Sequence, residues 1–156
     1  MSKRRILTLF AVVVLLPVVL LAAGSVFSSK PDNLGVRGGR LAPCPPSPNC
    51  VSTQAEDAEH RMEPIAYKGS PQSALEAIKA ALGEMPRVRV VAQSEDYLHA
   101  EATSLVFRFV DDVEFYFDSE NGLIHFRSAS RVGHSDLGAN RSRMERFRAA
   151  FERQGH

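Results

Sequence analysis

The chain has 156 residues, room for one domain behind a short N-terminal segment, and a formal net charge of +1. So even a balance gives no case for a nucleic acid partner or for a strongly acidic one.

Lys3-Arg4-Arg5 precedes an apolar run over 6–23 in which only Thr8 is polar. About 18 residues at 1.5 Å each make roughly 27 Å, just enough to cross a bilayer. Residues 1–24 therefore read as a signal peptide or an N-terminal transmembrane helix. Ala22-Ala23-Gly24 offers a signal peptidase small residues. The length of the run leans instead toward a retained anchor. Basic residues at the start put the N-terminus in the cytoplasm and the domain on the periplasmic side of the bacterial inner membrane. It is anchored there by 6–23, or released after cleavage near Gly24. Ser25 stands where a lipoprotein needs Cys. Residues 25–41, rich in Gly, Ser, Asn and Arg without periodicity, read as a flexible linker, and 42–153 as a single domain.

The domain opens with Pro43-Cys44-Pro45-Pro46-Ser47-Pro48-Asn49-Cys50. In an oxidising compartment, cysteines this close most simply form a disulfide closing a small loop. The spacing is not that of a thiol oxidoreductase, and the absence of nearby histidines makes a poor metal site. Val51-Ser52-Thr53 suits a short extended segment, and Pro64 to Tyr67 an edge strand. Ser70 caps a helix with Pro71 at its first position, an apolar stripe of Leu75, Ile78 and Leu82, and Gly83 at its end. Val88, Val90 and Val91 mark a strand, and Tyr97 to Thr103 the next. Phe107 to Arg131 reads as a hairpin around Asn121-Gly122. In it Val113, Phe115 and Phe117 alternate with Asp112, Glu114, Tyr116 and Asp118, and Ile124 and Phe126 alternate with His125 and Arg127. A register opposing Phe115 to Phe126 places Glu114 opposite Arg127. A two-residue shift keeps the faces and pairs Tyr116 with Arg127 instead. A last helix, about Arg141 to Arg153, carries Met144, Phe147 and Phe151 on one stripe and takes Asn140 as its cap. Arg141 and Arg148 can pair with Glu145 and Glu152, while Arg143, Arg146 and Arg153 are left for solvent or lipid phosphates.

The order β-α-β-β-β-β-α implies an α+β sandwich: an antiparallel sheet of about four to five strands with two helices on one face and a polar opposite face.

Three segments carry a resemblance: Cys-Pro-Pro-Ser-Pro-Asn-Cys-Val (44–51), Phe109 to Phe115, and Arg127 to Gly133 with Ser135 to Gly138 and Asn140-Arg141. In this order they resemble the domain of unknown function family 1499, over about residues 42–153. The resemblance implies an envelope or lumenal setting and no established activity.

Candidate chemistry gathers on the polar face and the loop after it. Glu101, Asp112, Glu114, His125, Arg127, Arg131, Asp136, Asn140 and Arg141 are the candidate ligand-binding residues; no cofactor or metal is implied. Asp111 and Asp112 are adjacent and point to opposite faces, which weakens a metal reading. His134-Ser135-Asp136 has the residue types of a hydrolase triad, but consecutive residues cannot converge as a triad does, and local backbone hydrogen bonds suit them better. The leading expectation is a non-catalytic module binding an unknown ligand or envelope protein through the polar face. The alternatives are a small acid–base enzyme using the clustered Glu, Asp, His and Arg, which needs those groups in a cleft, and a structural or assembly protein of the envelope.

Overall fold

The computed structural model describes residues 29–155 and, by itself, Val13. The expected signal peptide or anchor lies outside the described residues, which include no helix long and apolar enough to cross a membrane.

The hairpin is the centre of the sheet. Its strands are β5 (Val110–Asp118) and β6 (Leu123–Ser130), preceded by β1 (Cys50–Ser52), β2 (Ile65–Ala66), α1 (Pro71–Gly83), β3 (Val88–Gln93) and β4 (Tyr97–Thr103), and followed by α2 (Ala139–Glu152). All pairings are antiparallel, in the order β1-β6-β5-β4-β3, with β2 also on β6. The sheet has six strands because β1 and β2 share the outer edge of β6. One pairs with Arg127 to Ala129, the other with Leu123 and Ile124. Phe115 opposes Phe126 and Glu114 opposes Arg127, the first of the two registers open from sequence. Residues 119–122 make the turn: Gly122 has φ +65°, and the Asp118 carboxylate accepts from the Asn121 backbone and side chain.

Both helices cover one face. Ser70 caps α1 by accepting from the Ser73 N–H, and Ala74, Leu75, Ile78 and Leu82 are buried. Met144, Phe147 and Phe151 of α2 are fully buried, with the Phe147 ring centroid 4.6 Å from that of Phe115. The start of α2 differs from expectation. Its N-cap is Gly138 in a left-handed conformation, and Asn140 is inside the helix and buried. Asp136 does the capping, accepting from the N–H groups of Gly138 and Asn140. The arginines of α2 also find other partners, since carbonyl groups of nearby loops come within reach. Arg141 donates to the carbonyls of Glu59 and Arg61, Arg148 to those of Glu63 and Pro64, and Arg143 and Arg153 pair with Asp111 and Glu84.

The centre of the opposite face is not open to water: His99, Asp112, Glu114 and Arg127 are buried. The stretch expected to be a linker is packed against it from about residue 33. Arg37 and Arg40 exchange two backbone hydrogen bonds across Gly38-Gly39, whose φ of +58° and +73° suit a two-residue hairpin turn. Gln54 fastens this strap, donating to the Gly39 carbonyl and accepting from the Leu41 N–H. The Gly35 N–H donates to the Glu114 carboxylate at 2.8 Å, in the middle of the sheet.

Candidate functional site

Under the strap, the strands bring charged side chains into cross-strand rows. Arg89, Glu101 and Asp112 form one row, His99, Glu114, Arg127 and Ser52 the next, and Tyr97, Tyr116 and His125 the third. Glu114 is fully buried and accepts from the Tyr97 hydroxyl (2.8 Å), the Gly35 N–H (2.8 Å) and Arg127 Nη1 (3.2 Å). Asp112, also buried, receives Arg131 through both Nε (2.9 Å) and Nη2 (2.7 Å), with His99 Nε2 2.8 Å away. Arg131 Nη2 reaches Glu101 as well (2.6 Å), and Arg89 holds the other oxygen of Glu101. His125 lies apart, against Thr53 (3.2 Å) and stacked on Tyr116.

These contacts set the protonation states. Burial pushes the Asp112 carboxyl up, but hydrogen bonds from Arg131 and His99 outweigh it and leave the group below the usual carboxylate range. Glu101 behaves alike: burial opposes, Arg131 and Arg89 prevail. Arg131 is raised, chiefly by its hydrogen bonds to Asp112. Burial, then the Glu114 charge, raises Tyr97, so its hydroxyl stays a donor. His125 is lowered by burial, against the pull of Asp118. The layer thus consists of matched ions and hydrogen-bonded neutrals. Two buried nitrogens, Arg127 Nε and His99 Nδ1, make no hydrogen bond.

The other candidate residues lie elsewhere. Asp111 is on the helix-side face and pairs with Arg143, as the alternation of β5 dictates. Next to it a polar junction joins sheet, disulfide loop and helix. Asn140 accepts from Ser128 Oγ (2.6 Å) and donates to the Asn49 carbonyl (3.0 Å), Ser130 Oγ (3.0 Å) and Asp136 (2.7 Å). Asn49 in turn donates to the Gly133 carbonyl (2.6 Å). Cys44 and Cys50 are disulfide-bonded, closing this loop. Ser135 and Asp136 accept from the N–H groups of Leu137 and Gly138, local bonds rather than parts of a triad. The nine candidates thus fall into three bonded sets (Glu101, Asp112 and Arg131; Glu114 and Arg127; Asp136 and Asn140), with His125 apart and Arg141 clamping the 59–61 loop. Sequence reading missed His99, Tyr97 and Arg143. The alternation of β4 marked His99 and Tyr97 as polar-face residues, but nothing local marked Arg143 as the partner of Asp111.

A cavity of about 520 Å³ opens beside the layer, between the strap and the loop over 52–57. Arg37 and Arg40 line it, with Ser52, Gln54, Glu56 and Asp57 across from them. Asp57 is engaged by His60, whereas the guanidinium groups of Arg37 and Arg40 donate to the carbonyls of Asp32 and Gln54. Two further lining residues touch the charged layer: Ser52 is the cross-strand neighbour of Arg127, and Gly35 binds Glu114. None of the nine candidates lines the cavity. Among the described residues, no group of three or more His, Cys, Asp or Glu is placed to hold a metal ion.

No curated protein is similar enough to the chain to count as a match. A family model described as protein of unknown function, DUF1499, matches residues 40–151. That span runs from the end of the strap through the disulfide loop, the whole sheet and nearly all of α2, and the chain belongs to this family.

Proposed function

We propose that the chain is a non-catalytic binding module held at the periplasmic face of the inner membrane, and that its ligand is a small molecule bearing a carboxylate or phosphate. The observation that carries the proposal is the cavity under the strap. Two guanidinium groups line it without a carboxylate partner among the ion pairs of the described residues, and its lining includes Ser52, the cross-strand neighbour of Arg127. Arginine presents a planar fork of donors suited to such oxyanions. The polar sheet face serves as the floor behind this site rather than as the contact surface, because the strap covers it. An acid–base enzyme needs its charged groups open to substrate in a cleft, and Asp112 and Glu114 are instead buried and paired with Arg131 and Arg127.

Calorimetric titration of the full chain in detergent with inorganic phosphate, citrate and glycerol phosphate tests the proposal. Binding of at least one, lost in the Arg37→Gln/Arg40→Gln variant at unchanged melting temperature, supports it. Absence of binding, or equal binding by the variant, contradicts it.

A further inference from the structure

One end of the sheet gathers the start of β3, the end of β4, the start of β5 and the end of β6, together with the loops that join or follow them. The three segments that carry the family resemblance all reach this end, as the disulfide loop, the start of β5 and the 131–138 loop. Their polar residues are accounted for by the junction around Asn140. Leu137 is not: it stands 97% exposed, at a φ of +55°. In the β4–β5 loop at the same end of the sheet, Leu105 and Val106 are 69% and 71% exposed. Their loop is tied at its base rather than left loose. The Ser104 N–H donates to the Phe109 carbonyl and Ser104 Oγ accepts from the Phe109 N–H, both at 2.9 Å, and the Phe107 and Phe109 rings lie 5.6 Å apart.

Among the described residues, the non-glycine residues with positive φ are Arg87, Arg108 and Leu137, and all three stand at this end. Such conformations persist where surrounding structure imposes them, commonly at sites of function. The charge here is one-sided. Glu101, Asp111 and Asp136 are taken by Arg89 and Arg131, by Arg143, and by the start of α2. Arg87, which donates to the Thr103 carbonyl, and Arg108 have no carboxylate partner among the ion pairs of the described residues.

We infer that this end of the sheet docks on an anionic lipid surface, with Leu105, Val106 and Leu137 inserted among the acyl chains and Arg87 and Arg108 at the phosphate level. Protruding aliphatic tips ringed by cations suit insertion into the headgroup boundary. Two loop tips with three exposed aliphatic side chains make too small an area for a stable protein partner, which takes about 800 Å² on each side. The inference draws on the membrane-tethered reading of the N-terminus. Between Ala23 and Asp32 the chain spans at most about 30 Å, so a retained anchor keeps the domain within reach of its own bilayer.

The chain has no tryptophan, so Val106→Trp makes a single reporter and Glu120→Trp, in the turn at the far end of the sheet, its control. Each full-length variant is reconstituted into phosphatidylcholine vesicles with and without phosphatidylglycerol, with bromine on the acyl chains. The expected result is a blue-shifted Val106→Trp emission, quenched about twofold or more and further with phosphatidylglycerol, while Glu120→Trp is unaffected. Equal emission and quenching from both reporters overturns the inference, and quenching indifferent to phosphatidylglycerol overturns the role of the arginines. Retention of the chain on vesicles through an alkaline carbonate wash reads the tether separately, so failure of the anchor and failure of the tip are distinct results.

Discussion

At the centre of this sheet both faces are buried, by opposite chemistry. Toward the helices, Val113, Phe115, Ile124 and Phe126 meet the aromatic stripe of α2, and burial of apolar area is sufficient reason for the contact. Toward the strap, Asp112, Glu114, His99 and Arg127 are buried just as deeply, and each is tolerable only because another ion or a backbone N–H answers it. The apolar face is stabilised roughly in proportion to what it covers. The charged face contributes little net stability, yet losing one member strands the others. Glu114 shows the dependence best, since it joins β4, β6 and the strap through Tyr97, Arg127 and Gly35.

The largest expected effect is on the apolar face. Phe147→Ala should cost about 4 kcal/mol in a denaturant titration, the usual toll of removing a core aromatic ring. On the charged face, Arg127→Gln or Glu114→Gln alone should cost about 3 kcal/mol, while the double variant should cost less than the sum of the two. That non-additivity separates the faces: Phe147→Ala combined with Arg127→Gln should add within error. Reducing the Cys44–Cys50 bridge removes a short loop constraint and should lower stability by about 2 kcal/mol in the same titration. Gly35→Ala should cost about 1 kcal/mol. A Cβ there meets nothing within 4 Å, so the penalty comes from its φ of +102° alone.

Acid should act through the charged face. Asp112 and Glu101 are depressed in the folded chain, so their contribution is present above their ordinary values and lost as pH falls through the folded ones. His125, also depressed, withdraws stability below about 6.5, the ordinary value for histidine. His60 has the opposite sign: the Ser47 carbonyl and Asp57 overcome its burial and raise it, so its contribution is lost as pH rises through the folded value. The two histidines act in opposite directions near neutrality, and the depressed carboxylates should make melting temperature fall steeply below about pH 4.

Much of the architecture was legible in the chain, because period-two alternation in β4, β5 and β6 and the stripe of α2 carry local information. The Glu114–Arg127 partnership was legible too, once Phe115 was set against Phe126. The strap was not. Residues 33–41 have no hydrophobic period, and what holds them is a glycine turn, Gln54 and a single N–H aimed at a carboxylate about 80 positions away. The polar face could look solvated in sequence only because its cover has no apolar signature. The role of Asn140 was hidden for a related reason: its partners Asn49, Ser128 and Ser130 come from distant segments, and a helix-starting Asn is more simply read as a cap.

The strap is a fixed part of the fold, closing the charged layer through the Gly35–Glu114 bond. Native-state amide exchange of Gly35 reads it most directly. Its exchange should be slowed by about a hundredfold or more relative to a free chain, and the slowing relieved by Glu114→Ala, which removes the acceptor. Exchange of Gly35 as fast as that of residues 29 and 30, unaffected by the substitution, would contradict it.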